Sequence, residues 1–422
     1  MVKKATSACL YGITVLAILG WWYLAFSQTS SPQSDAQSDI SLRKTSKDSS
    51  YSNLVQLLSP LRRDTLHKAL AGDRRLMRKM IIEWDVDAHI MEAHGIISAK
   101  RLSRNSYTKA LLLARQLEKT SDDQLISLNN SARYKIIVDD TNATLNLNKP
   151  FHRFLPETYV SASFLLALAD PKQIVAIPQG LREQTQLFPT HLTKQIPLDV
   201  DRHNSEKLYM ARPDVAFVAH YSHPSTLQAL QNQGVPLFTL KNINSISEIM
   251  DALIRIGHVI NKPLEAELLK LFMEAAMIAI DNRMLSLNLC FQELKAEPRI
   301  LFLNHYAQFY APTHKTITSQ LLQRTHVPDL IGKVIKPAYQ SDWMIPIPQE
   351  MLMHLNPDWI IVSTQNVEAT KKQINSESIF HSLTAKKNDC IFYVDEVVQQ
   401  SPSQYIVLAY YDIFQALTCA IP

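Results

Sequence analysis

Aromatic and histidine side chains gather just beyond the ends of several short apolar runs. Tyr159 follows HRFLPET, His220, Tyr221 and His223 follow VAFVA, and His305, Tyr306 and Tyr310 follow RILFLN, while Trp343 stands ahead of MIPIPQE. If those runs are strands of an α/β sheet, their carboxyl ends are where ligands collect. Two such walls facing each other suit a large, flat or polycyclic ligand, because aromatic faces offer contact area at small entropic cost. Tyr159, His220, Tyr221, His305 and Tyr306 also carry phenol or imidazole donors able to hydrogen-bond or to ligate iron. Taken singly, each reads more readily as a loop or surface residue satisfied by water, and the cluster is better supported than its members.

Two carboxylates recur at matched positions. In NSEKLYMARPDVAFVAH, Glu206 lies seven residues before Pro213, and Pro213-Asp214 opens an apolar run; in PQEMLMHLNPDWIIVS, Glu350 lies seven residues before Pro357, and Pro357-Asp358 does the same. Each module reads as a short helix, a proline stop and a buried strand, with Asn204 or Pro348 suited to the helix start. A glutamate in a first turn also simply favours the helix dipole.

The elements that must position these residues follow from period and punctuation. Residues 51 to 130 carry helical periodicity and no strand signal, as in LVQLLSPLRRDTLHKALAG and YTKALLLARQLEKT, and form a helical extension of three or four helices. RYKIIVDDTNATLNLNKPFHRFL then reads as a hairpin turning at Asp140 to Asn142 and leading into a third strand. Strands at 173–177, 215–220 and 236–240 alternate with helical stretches, among them Ser161 to Ala169. The pattern resumes with strands at 299–304, 358–363 and 390–395 and helices from Thr318 to Arg324 and from Ser403 to Leu417.

Between the two halves lies PLEAELLKLFMEAAMIAIDNRMLSLNLCFQELKAEP, from Pro263 to Pro298, with neither Gly nor Pro inside. It predicts one uninterrupted helix of about 50 Å, packing on one side and carrying Glu265, Lys270, Glu274 and Asp281 elsewhere on its surface. The expected class is α/β: two lobes with mainly parallel sheets flanked by helices, bridged by one long helix, plus the N-terminal helical extension. The boundaries are 1–28, 29–50, 51–130, 131–262, 263–298 and 299–422.

Lys3 and Lys4 precede an uncharged run from Ala5 to Phe26, long enough to span a bilayer core, so the remainder is exported. Both a signal peptide cut near Ala25 to Ser27 and an uncleaved anchor through residues 5–26 remain open. Residues 29–50 are Ser, Gln and Asp rich, the composition of a flexible linker. Forty-three basic against 39 acidic residues give a net charge of only +4, with no basic run interleaved with aromatics, which excludes a nucleic-acid groove. Four cysteines without CxxC exclude a disulfide framework and a zinc cluster, leaving open one bridge among Cys290, Cys390 and Cys419.

From Arg133 to Pro422 the chain resembles the substrate-binding proteins of iron-siderophore, haem and vitamin B12 ABC importers, whose two lobes are joined by a single long helix. RFLPETYVSASFLLALADPKQIVAI, RPDVAFVAH, LQALQNQGVPLFTL, NINSISEIMDALIRIGHVINKPLEAELL, LNPDWIIV and IFHSLTAKKNDCIFYVDEVVQQSPSQY follow the family's order over about 290 residues. The resemblance implies a non-enzymatic carrier of the periplasm, or of the outer face of the inner membrane, with no resident cofactor. Such a carrier captures an iron complex, siderophore or haem, with cobalamin as the alternative, and delivers it to an ABC permease. It also implies that Glu206 and Glu350 dock onto that permease. The chain departs from the family in its eight glycines, with Ala169 where a Gly is usual and HVPDLIG replacing a Gly pair, and in the extension at 51–130.

Two other classes compete. A metal-dependent enzyme using His220, His223, His305 and His314 lacks HExxH or comparable spacing, and there is no nucleophile elbow, Walker loop or dinucleotide glycine motif. A membrane-anchored interaction protein that has lost its ligand fits the missing glycines but not the presence of both Glu206 and Glu350.

Overall fold

A computed structural model describes residues 54, 57–97, 102–200, 205–293, 298–331 and 343–418. The apolar run at 5–26, the linker at 29–50, Asn204, Cys9 and Cys419 lie outside these residues. Among the described residues no helix is long and apolar enough to cross a membrane.

The helical extension contains helices Arg63–Leu70, Arg74–Ala93, Leu102–Lys119 and Asp122–Ala132. Asp73 caps the second by accepting the Leu76 N–H at 3.0 Å, and Ser121 with Gln124 forms a capping box at the fourth. A hairpin follows, β1 (Ile136–Val138) antiparallel to β2 (Thr144–Asn146). Its turn is tied by Asp139, whose carboxylate accepts the Thr141 and Ala143 N–H groups, the Thr141 hydroxyl and, from a distant strand, the Thr239 N–H.

The first lobe is built on β3 (Phe154–Pro156), β4 (Ala176–Pro178), β5 (Leu198–Val200), β6 (Val215–Ala219) and β7 (Leu237–Leu240). β3, β6 and β7 form one parallel sheet with β6 at its centre, and β4 and β5 pair separately. All five residues of β6 are buried, as a parallel strand covered by helices on both faces must be. The second lobe carries β8 (Ile300–His305), β9 (Phe309–Pro312), β10 (Met344–Pro346), β11 (Trp359–Thr364) and β12 (Ile391–Asp395) in the order β10-β9-β8-β11-β12. β8, β11 and β12 are parallel, whereas β9 and β10 add an antiparallel edge.

The two sheets are separated in the chain by the helix Pro263–Glu293, 31 residues and so about 46 Å long. The packing face is wider than one stripe: Leu268, Leu271, Phe272, Ala276, Met277 and Ile280 are all nearly inaccessible, whereas a narrow stripe through Lys270, Glu274, Ile278, Asp281 and Leu285 stays part-exposed, and Glu265, expected on the surface, is buried. The extension supplies one cover, with the Trp84 ring 5.3 Å from Phe272. Two of its carboxylates are paired: Glu265 accepts from Asn129 at 2.9 Å, and Asp281 binds Arg324 and the Tyr410 hydroxyl, the latter at 2.8 Å. Cys290, buried, and Cys390, half-buried, are both thiols.

Candidate functional site

The loop after β6 is folded by Ser222. Its hydroxyl donates to the Glu157 carboxylate at 2.5 Å and accepts the Ala219 N–H at 2.9 Å, closing a turn that projects His220 and Tyr221 outward. The His220 N–H binds the Leu240 carbonyl at 2.9 Å, and its ring meets Tyr221 edge-on at 5.1 Å. Tyr221 is 61% exposed. Beside it, helix Tyr159–Leu168 starts from a reciprocal cap between Thr158 and Ser161, which places Tyr159 in its first turn. The Tyr159 hydroxyl donates to the Gln179 carbonyl at 2.9 Å, and burial together with the neighbouring Glu183 charge pushes its pKa up, keeping it a phenol.

In the second lobe Trp343 is 47% exposed, and its carbonyl accepts the Thr313 N–H at 2.9 Å. Tyr221 and Trp343 line one cleft of about 240 Å³. Thr158, Val160, Ala219 and the loop from Leu240 to Asn244 complete the first-lobe side, and Pro402 joins Trp343 on the other. The cleft therefore lies between the lobes at the carboxyl ends of β3, β6 and β7. That volume falls below the range of about 300–1,000 Å³ typical of sites that engulf a small molecule.

The remaining candidates divide. Tyr306 and Tyr310 stand 5.9 Å apart at the β8–β9 turn, and the Tyr306 hydroxyl accepts from the Gln400 amide. Burial, with the Glu396 charge nearby, raises the Tyr306 pKa. His305 has both ring nitrogens engaged, 2.9 Å from Gln373 Oε1 and 3.0 Å from Thr370 Oγ1, and its ring packs 4.8 Å from Phe309. It holds helix Val367–Ser376 to the sheet. His223 caps helix Pro224–Asn232, its Nδ1 accepting the Ser225 N–H at 3.3 Å. Both imidazoles thus have local structural tasks. Among the described residues no three His, Cys, Asp or Glu side chains gather closely enough to hold a metal ion.

The lining loop Lys241 to Asn244 is absent from the sequence-derived candidates, although it follows β7 by the same rule that pointed to His220. It is held from two directions: the Asp140 carboxylate accepts the Lys241 N–H at 2.9 Å, and Gln320 of the second lobe donates to the Asn244 carbonyl at 2.9 Å while accepting the Ile246 N–H at 3.3 Å.

Glu206 and Glu350 are exposed in the first turns of helices Ser205–Ala211 and Gln349–Leu355. The spacing repeat extends to atomic detail. Asp214 accepts the Arg153 N–H at 2.9 Å while the Arg153 guanidinium donates to the Arg212 carbonyl at 2.8 Å. Asp358 accepts the Arg299 N–H at 3.1 Å while the Arg299 guanidinium donates to the Asn356 carbonyl at 2.9 Å. Arg212 and Asn356, each two residues before its aspartate, both turn through positive φ, 42° and 35°. Each exposed glutamate is thus carried by the same latched helix-to-strand corner.

A family model described as periplasmic binding protein matches residues 159–398, more than half of the chain. The chain belongs to the periplasmic binding protein family. This is a family of extracytoplasmic solute-binding proteins rather than enzymes. Solved structures share the fold. A possible iron-binding (periplasmic solute-binding) protein from Staphylococcus epidermidis ATCC 12228 aligns with TM-score 0.53 and 19% identity, over 64% of this chain and 99% of that one. The periplasmic haem-binding protein RhuT from Roseiflexus sp. RS-1, in apo form, gives 0.51 and 16%, over 64% and 98%. A periplasmic haem-binding protein from Pseudomonas aeruginosa gives 0.51 and 16%, over 64% and 94%. No match was found among curated proteins. The family match starts at Tyr159, so the four helices between Arg63 and Ala132 belong to this periplasmic binding protein beyond that match.

Proposed function

We propose that this periplasmic binding protein captures an iron complex, a haem or a ferric siderophore, and delivers it to an ABC permease from the outer face of the inner membrane, where residues 5–26 export or anchor it. The observation that carries the reading is the pairing of Tyr221 and Trp343, from different lobes, across one cleft. Two exposed aromatic faces with Tyr159, His220 and Tyr306 nearby favour a flat or polycyclic cargo larger than the cleft, held by stacking and by phenol or imidazole contacts. Glu206 and Glu350 form the permease contacts: two exposed carboxylates on equivalent latched corners orient a basic partner without being buried.

The test is a tryptophan-fluorescence titration of the full chain with haemin, ferric siderophores and cobalamin in parallel, repeated with Trp343→Phe. Saturable quenching by haemin or a ferric siderophore that largely disappears in Trp343→Phe is expected. Quenching by cobalamin alone replaces the cargo, and no saturable response to any of the three overturns the carrier reading.

A further inference from the structure

Helix Arg63–Leu70 lies outside the family match, yet it reaches both lobes. On one side the Arg63 guanidinium grips Asp412 of the C-terminal helix Ile406–Thr418 through two bonds, 2.8 and 3.1 Å, and the Leu61 carbonyl accepts the Tyr411 hydroxyl at 2.8 Å. One turn along the same helix face, His67 Nε2–H donates to the Leu187 carbonyl of the first lobe at 3.0 Å, and its ring packs 5.3 Å from Tyr405. Gly72, just past the helix with φ +104°, runs against helix Tyr159–Leu168 so closely that a Cβ there would stand 2.4 Å from the Ala167 carbonyl oxygen. The helix therefore presses on the first lobe at two places and is bolted to the second at a third.

From His67 the contacts continue to Tyr159, which stands between the cleft-lining Thr158 and Val160. Phe188, inaccessible to solvent, meets Tyr405 edge-on at 6.4 Å and stands 6.3 Å from the Tyr159 ring. Tyr159 is fixed at its other end by the hydrogen bond to Gln179. A path of packed rings thus joins a helix of the extension to Tyr159 beside the cleft, with the Leu187 carbonyl accepting from His67.

We propose that helix Arg63–Leu70 is a clasp across the two lobes and that His67 is a positioning residue for Tyr159, so that the cargo meets a pre-set wall instead of one ordered on arrival. Pre-setting a wall removes the cost of ordering it from the binding free energy. The clasp itself is independent of the cargo, whereas its effect on affinity rests on the carrier reading above.

Hydrogen–deuterium exchange on the full chain without ligand tests the clasp, with His67→Ala, His67→Gln and Arg63→Gln beside the wild type. His67→Ala should speed exchange over residues 179–188 by about tenfold, the consequence of one lost hydrogen bond, while residues 300–305 stay unchanged. His67→Gln, which keeps an N–H for the Leu187 carbonyl, should restore most of the protection. Arg63→Gln, which leaves His67 in place, should loosen the C-terminal helix near Asp412 and residues 187–188 together. Unchanged exchange at 179–188 in folded His67→Ala, or loosening confined to Asp412 in Arg63→Gln, overturns the clasp. In the ligand arm, haemin should bind His67→Ala about tenfold more weakly than wild type. Equal affinity in the two, with exchange raised, overturns the link to Tyr159. If the wild type binds none of haemin, ferric siderophores and cobalamin, the carrier reading has failed and the exchange data alone decide the clasp.

Discussion

Arg283 of the long helix and Asp87 of helix Arg74–Ala93 form a buried ion pair, Nη2 to Oδ2 2.6 Å, with both side chains less than a tenth exposed. Asp87 is further satisfied by the Ser59 N–H and hydroxyl, each at 2.9 Å, and Arg283 donates to the Ser59 and Ala279 carbonyls. Removing Asp87 strands a guanidinium in the interior between the extension and the helix that joins the lobes. Asp87→Ala should lose about 3–5 kcal/mol, read as a lower urea midpoint at constant m. A loss under 1 kcal/mol would show that the extension is not cemented to the helix there.

Gly72 makes the same attachment without charge. Its φ of +104° disfavours any L side chain, and the Ala167 carbonyl leaves no room for a methyl group. Gly72→Ala should destabilise by about 2 kcal/mol or more, while Gly95→Ala, also at positive φ but with nothing within 4 Å, should cost less. Equal losses in the two would mean that backbone strain alone matters and the contact with Ala167 does not.

His258 predicts an acid-side loss of stability. Its ring stacks 3.6 Å from Tyr134 and its Nδ1 accepts the Tyr134 N–H at 3.3 Å, while burial, helped by the Arg133 charge, pushes its pKa down to about 4. The unfolded chain takes up that proton near pH 6.5 and the folded one only near 4, so the unfolded state binds more protons in between. Stability should fall as pH drops through this window, by up to about 3 kcal/mol from this group, and level off below it. His258→Gln should flatten the profile between pH 6.5 and 4. A slope identical to wild type would assign the acid sensitivity to other groups.

The proposed docking role of Glu206 and Glu350 can be tested apart from binding, because neither lines the cleft. Glu206→Ala with Glu350→Ala should leave haemin affinity within about twofold and reduce uptake by a reconstituted permease at least tenfold, at low salt most of all. Uptake unchanged in the double variant would sink the docking proposal.

Much of the fold was legible because period and punctuation agree along the chain. The hairpin was placed by its β-branched runs and the turn at Asp140 to Asn142, β6, β8 and β11 by apolar runs that suit a sheet covered on both faces, and β12, an edge strand with only Val394 buried, by its apolar run CIFYV. β5, β9 and β10 escaped notice: LDV, FYAP and MIP are three or four residues long, and the last two end in proline, which belongs only at a sheet's edge. The wide burial of the long helix was hidden for a different reason. Its second cover comes from residues such as Trp84, nearly 200 positions earlier, whose own pattern says only that they pack.

At the cleft, residue type was a weaker guide than position. Tyr221 and Trp343 were legible because they follow or precede strands at the right end. His305 and His223 satisfy the same rule, yet their ring nitrogens are occupied by partners that residue type does not reveal, one of them, Thr370, 65 residues away. The lining from Lys241 to Asn244 carries no aromatic or imidazole, so the residue types that mark the rest of the wall do not mark it.

The helix Pro263–Glu293, packed over most of its girth, has a consequence for how a loaded carrier is told from an empty one. A bare connecting rod can flex and let the distance between the two tips report on the cargo; a rod packed over most of its girth resists that bending. A partner gripping both corners would meet the same span whether the cleft is full or vacant. Occupancy must then be read at the rim, from the cargo's own exposed edge and the side chains it displaces, and not from the posture of the molecule.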